Sequence, residues 1–248
     1  MTLLYNSDEY ILIKNFEVPV KWSSDIPKAY RASTLASKTF IDWIESTIKN
    51  FELKSIEIQS VDITKSGKVL FIKLSTEIYK DSNKVPGIVL LRSSCVAILP
   101  VLKTTSGRTY IVLVGQSRVA SGEEITYEIP AGIVEENEFE AHAALRELKE
   151  ETTIEKSNYD EFGALTDPLY TSVGILNETI KIYHLEKKVD DAYIENLKSI
   201  SCGEASENEY IKLALIDLDE DSFFDYTSDM KSVLAYIAYE HYYGKESN

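Results

Sequence analysis

The sequence predicts a mixed α/β (α+β) chain, and three observations predict it. Apolar runs with strand patterning and stretches with helical spacing follow one another irregularly, which fits neither an all-α nor an all-β fold. The 248 residues suffice for one compact catalytic domain plus a substantial N-terminal addition, or for two small domains. Hydrophobic residues make up 44% and charged residues 27%, ordinary globular proportions that argue against disorder over most of the chain.

The elements follow in order. The first 30 or so residues mix short apolar pieces with turn residues. Phe40, Trp43, Ile44, Ile48 and Phe51 then recur at three- and four-residue steps, which predicts a helix with one apolar face. Residues 56–79 read as a β-hairpin turning at Lys65-Ser66-Gly67. The run from Gly87 to Leu102 reads as one long buried strand, Thr104–Arg108 as a turn, and Tyr110–Val114 as the next strand. Tyr127–Gly132 is a short extended piece, and a helix is expected from about Phe139 to Thr152. Thr179–Leu185 and Ile211–Leu215 read as strands. A C-terminal helix over about Asp229–Tyr243 is expected to turn Val233, Leu234, Ile237 and Ala238 inward.

Charge narrows the partners. The formal net charge is −15, and without a Lys/Arg run this argues against a nucleic-acid partner. An anionic substrate would need its charge neutralised, and a divalent metal does this most simply. Two cysteines, Cys95 and Cys202, with no secretory leader in Met1–Tyr10, point to a reducing cytoplasm. No apolar stretch approaches the ~20 residues of a membrane helix.

The informative segment is Gly132, five residues, Glu138, seven residues, then Arg146-Glu147-Leu148-Lys149-Glu150-Glu151-Thr152-Thr153-Ile154. Glu147, Glu150 and Glu151 stand at i, i+3 and i+4, on one face of a helix. Like charges there oppose each other by about 0.2–0.5 kcal/mol per pair. The stripe is either a solvated acidic face or a site for a hard cation such as Mg²⁺ or Mn²⁺. The preceding loop favours the cation: Gly132 lets the backbone turn after a strand, bringing the Ala131 carbonyl near, and Glu138 precedes the helix.

This pattern resembles the Nudix box, which it matches at eight of nine specified positions; the exception is Thr153, where the family has glycine. A β-branched residue takes φ > 0 with difficulty, so an altered helix exit is expected there. The resemblance implies Glu147 and Glu151 as main metal ligands, assisted by Glu150 and the Ala131 carbonyl. It implies that Arg146 orients the glutamates and Glu138 braces the loop. Flanking residues look like the ADP-ribose and ADP-sugar pyrophosphatase branch. These are Glu128-Ile-Pro-Ala-Gly132, Gln116-Ser-Arg118 with the arginine on the substrate phosphates, and Tyr170-Thr-Ser-Val-Gly174 followed by Asn177-Glu178. Lys84–Ile88 is similar to the plant ADP-sugar enzymes. Val173 departs from the branch, which has proline there as its marker for ADP-ribose; this weakens ADP-ribose specifically and leaves ADP-glucose or other ADP-sugars open.

The resemblance further implies a Nudix α/β/α sandwich with a mixed sheet over residues 86–248, and a small β-rich extension over residues 1–85 serving a homodimer. The expected reaction is metal-dependent hydrolysis of an ADP-sugar pyrophosphate to AMP and a sugar phosphate. Gln116, Arg118, Glu128 and Glu178 would hold the substrate. A glutamate of the Gly203–Glu209 loop would take the proton of the attacking water, Glu207 by preference, with Glu209 as base or metal ligand instead. Two alternatives stay open: a Nudix hydrolase of another nucleotide (a dinucleoside polyphosphate or NADH), and a nucleotide sensor without turnover.

Overall fold

The computed structural model describes residues 4–7, 9–13, 16–202 and 211–244. The chain divides into two compact units: Met1–Ser93 with Tyr170–Thr179, and Ser94–Leu169 with Ile180–Asn248.

In the first unit, strands β1 (Leu4–Ser7), β2 (Tyr10–Ile13), β3 (Phe16–Trp22), β4 (Glu52–Ile63), β5 (Val69–Lys80) and β6 (Asn83–Lys84) pair in that order, and β7 (Ile88–Arg92) adds to β5. The β4–β5 hairpin is the expected one. Its turn closes with Gly67 at φ +89, a region open to glycine. Helices α1 (Lys28–Ala36) and α2 (Lys38–Thr47) accompany this sheet. The ten-residue α2 is too short to stand alone in water, so its buried Phe40 and Ile44 hold it, each contributing about 1.5–3 kcal/mol by burial. Periodicity at positions 40–51 overran the element: α2 ends at Thr47, and Phe51 is exposed.

The second unit contains β8 (Cys95–Thr104), β9 (Thr109–Arg118), β10 (Glu123–Glu128), β11 (Ala131–Ile133), α3 (Glu140–Thr152), β12 (Glu161–Ala164), the first residue of β13 (Leu169–Tyr170), β14 (Thr179–Val189) from its second residue, α4 (Asp191–Lys198), β15 (Ser201–Cys202), β16 (Ile211–Asp217) and α5 (Met230–Tyr243). The sheet runs β12-β14-β8-β9-β16-β15, with β10 on β9 and β11 on β8. The β14–β8 pair is parallel and the β8–β9 pair antiparallel, so the sheet is mixed. Side chains alternate along β8. Val96, Ile98 and Leu102 join Ala143, Ala144 and Leu148 of α3 and Ile194 and Leu197 of α4 on one face. Cys95, Ala97, Leu99 and Val101 join Ala235 and Tyr239 of α5 on the other. The result is a helix–sheet–helix sandwich.

Three sequence expectations are corrected. The apolar run 87–102 is two strands, β7 and β8, separated at Ser93-Ser94 and belonging to two different cores. Hydrophobicity marks burial but not which core receives it. The inward face of α5 is Ser232, Ala235 and Tyr239 rather than one that includes Ile237, which is 51% exposed. Gly132 does not turn the chain. It sits within β11 opposite Val96 and is absent from the positive-φ glycines.

Candidate active site

The site is built on α3 and on the strand ends beside it. Ala143, Ala144 and Leu148 anchor one face of α3 in the core. Its acidic stripe then grades from buried to wet: Glu151 is 7% exposed, Glu147 half-buried and Glu150 exposed. The i, i+3, i+4 spacing gives the shared face, and the packing of α3 on β8 sets this gradient of depth.

Arg146 organises the stripe. Its Nε and Nη2 donate to the two oxygens of Glu138, both at 2.9 Å. Its Nη1 donates to Glu147 Oε1 at 2.7 Å and to Glu150 Oε2 at 3.0 Å, and Nη2 also donates to the Ile133 carbonyl at 3.1 Å. A planar five-donor fork can do this where an ammonium cannot. Glu138 Oε2 also accepts from the Glu135 N–H at 3.1 Å, which ties the loop to the helix. The Arg146 guanidinium holds the Glu138 carboxyl below the usual carboxylate range. Burial pushes Glu147 up, opposed by Arg146.

Glu151 is held differently. Oε1 accepts from Gln116 Nε2 at 3.0 Å, and Oε2 accepts from the Ala131 N–H at 3.1 Å. Burial, and then the charge of Glu147, push this carboxyl up to about 8 despite those two donors. Gly132 passes directly over Glu147: a Cβ there would stand 1.9 Å from Glu147 Oε1. Glycine is therefore required for close approach, not for a turn.

Gln116 and Arg118 lie two apart on β9 and so project to the same side. Arg118 Nε donates to Glu128 Oε1 at 2.6 Å. Glu128 Oε2 pairs with Lys231 of α5, a residue that sequence reasoning missed. No local pattern signals Lys231, since it stands 103 positions from its partner. Glu178 lies in the first unit, where Arg92 Nη1 approaches its Oε1 at 2.7 Å and Thr171 Oγ1 donates to its Oε2 at 2.9 Å. Glu204, Glu207 and Glu209 lie outside the described residues.

The exit of α3 corrects another expectation. Thr153 does adopt the left-handed cap, at φ 64 and ψ 2, and its N–H bonds the Lys149 carbonyl. The helix ends as it would with glycine, and the strain falls on a β-branched residue.

Among the described residues, no three His, Cys, Asp or Glu side chains already converge as a metal cage. The donor set nevertheless suits a hard cation. Glu147 and Glu151 are carboxylates whose burial disfavours the anion, and a divalent ion would compensate that charge.

Comparison with known proteins agrees with this geometry. The NUDIX domain family matches residues 92–227. Nudix hydrolase 14, chloroplastic, of Arabidopsis thaliana is 30% identical, with 91% of this chain and 77% of that protein covered. ADP-ribose pyrophosphatase of Saccharomyces cerevisiae is 29% identical, with 70% and 75% covered. Among solved structures, an ADP compounds hydrolase shares the fold at TM-score 0.54 and 17% identity, covering 80% of this chain and 96% of that one. A family match spanning the box, its flanking strands and the following sheet, on a sandwich that presents the box helix as described, places this chain in the Nudix family as an enzyme of the pyrophosphohydrolase type.

Proposed function

We propose that the protein hydrolyses the pyrophosphate of an ADP-sugar, ADP-ribose or ADP-glucose, to AMP and a sugar phosphate, with Mg²⁺ as the working ion and Mn²⁺ as a substitute. The carrying observation is the graded glutamate stripe of α3, tied through Glu151 to Gln116 of β9, two residues before Arg118 on the same strand. The names of the yeast and plant relatives support the same reaction class.

Glu147, Glu150 and Glu151, with the Ala131 carbonyl, would hold the ion, which supplies charge neutralisation and acidifies water. Arg146 keeps Glu147 and Glu150 aimed, Gln116 fixes Glu151, and Arg118 takes a phosphate oxygen. Glu128 positions Arg118 through their ion pair, and Glu207 takes the proton from the attacking water, with Glu209 as the alternative. Catalysis is mainly positioning and electrostatic stabilisation. The net charge of −15 disfavours an RNA substrate. We further propose a cytoplasmic homodimer on the analogy of the family. Only two cysteines in 248 residues fit a reducing compartment.

The test is phosphate release, after phosphatase coupling, from ADP-ribose, ADP-glucose, NADH and diadenosine polyphosphates, with and without Mg²⁺. Mg²⁺-dependent turnover of one or both ADP-sugars is expected, and Glu151→Gln should lower kcat by roughly 10²–10³ without unfolding the protein. Turnover of another panel member alone would discard the ADP-sugar reading. A Glu151→Gln variant with normal kcat would discard the mechanism.

A further inference from the structure

The first turn of α5 and the residues just before it are fastened to three consecutive residues of the segment leading into the Nudix box. Thr227 Oγ1 donates to the Tyr127 carbonyl at 2.6 Å, Lys231 pairs with Glu128, and the Ile129 N–H donates to Ser232 Oγ at 2.9 Å. Asp229 caps the helix, accepting from the Ser232 N–H at 2.9 Å, and approaches Lys231 Nζ at 3.1 Å. These contacts leave Lys231 little freedom of position.

Burial differs sharply across the Arg118–Glu128–Lys231 triad. The Glu128 side chain is 6% exposed, Lys231 16% and Arg118 45%. A carboxylate buried that deeply requires a cation. Lys231 is the interior one, and Arg118 the one that faces solvent. A substrate phosphate arriving at Arg118 would compete with Glu128 for the same guanidinium.

We infer that Lys231 is a positioning residue for substrate binding: by neutralising Glu128 from the protein side, it leaves Arg118 able to engage a pyrophosphate oxygen. The inference rests on the reading of Arg118 as the phosphate-holding arginine and deepens it. Removing Lys231 would leave Glu128 dependent on Arg118 alone, and the phosphate would bind against that pull.

The experiment is calorimetric titration of the full chain with ADP-ribose in EDTA, alongside melting temperatures. Lys231→Met should weaken binding roughly tenfold, the size of a coupling between contacting charges, and Lys231→Arg should recover most of it. Adding Glu128→Gln to Lys231→Met should also recover affinity, because a neutral amide no longer competes for Arg118. If Lys231→Met fails to fold, the double variant is compared with Glu128→Gln alone, and equal affinities are expected because Lys231 acts only through Glu128. A Lys231→Met protein with wild-type affinity and only a lower melting temperature overturns the inference. So does an affinity difference between the double variant and Glu128→Gln, or a wild type that does not bind ADP-ribose. Binding without turnover in Mg²⁺ would sink the hydrolysis reading and leave this one standing.

Discussion

At Gly132 the backbone of one strand and the carboxylate of a helix share the space a methyl group would fill. The end of a glutamate side chain can ordinarily move aside, but Glu147 is held by Arg146, which is itself committed to Glu138, Glu150 and the Ile133 carbonyl. Gly132→Ala should therefore express as a displaced Glu147 rather than as unfolding. The expected outcome is a kcat loss of roughly 10²-fold or more, with stability lowered by about 1–2 kcal/mol, read from steady-state kinetics and urea titration. A variant with normal kcat would show that Glu147 has room to move. Sequence reading identified the glycine but assigned it the wrong cause, because a box position reveals identity and not which atoms approach it.

The helix α3 carries the candidate site, and its exit stores strain. A threonine in the left-handed region stands about 1–2 kcal/mol above glycine there. Thr153→Gly should stabilise the protein by about 1 kcal/mol, less the added freedom of the unfolded chain, and leave kcat unchanged. A lower denaturation midpoint would mean that the Thr153 side chain contributes more than its backbone loses.

Elements with a clean local period were legible in sequence: the β4–β5 hairpin, α3 and the acidic stripe all follow from spacing within a few residues. Elements whose identity depends on distant partners were not. Nothing near Ser93-Ser94 announces that Leu91 belongs to one core and Val96 to another. The short α4 is fastened by the Asp190 cap and by Ile194 and Leu197, too few residues to establish a period. Lys231 looks like any lysine at a helix start, and its partner Glu128 is visible only once α5 has docked.

For the molecule as a whole, buried charge links stability to pH. Without metal, Glu151 sits near 8 when folded and in the ordinary carboxylate range when unfolded. Between those values the folded state keeps a proton that the unfolded state has lost. Stability from this group is therefore full at low pH and falls as pH rises towards 8. His184, fully buried and lowered by that burial, acts the opposite way, losing stability as pH falls below its unfolded value. The clean comparison is wild type against Glu151→Gln in EDTA. The wild type should lose up to about 4 kcal/mol relative to the variant from pH 5 to pH 8. Millimolar Mg²⁺ should then raise the melting temperature more at pH 8 than at pH 5.5, since cation binding requires the deprotonated carboxylate. A flat difference across that range would mean that Glu151 ionises normally in the fold.

The fastening of α5 to Tyr127–Ile129 also sets an order of events during synthesis. Helix α3 ends at Thr152 and α5 begins at Met230, so a ribosome adding about 5–20 residues per second presents the glutamate helix roughly 4–16 s before the helix that carries Lys231. Until then Glu128 has Arg118 but not its second cation. A nascent chain can hold its box helix and Arg118 and still lack the lysine that balances Glu128 from the interior. The buried carboxylate gains its second cation only when α5 has been made and docks.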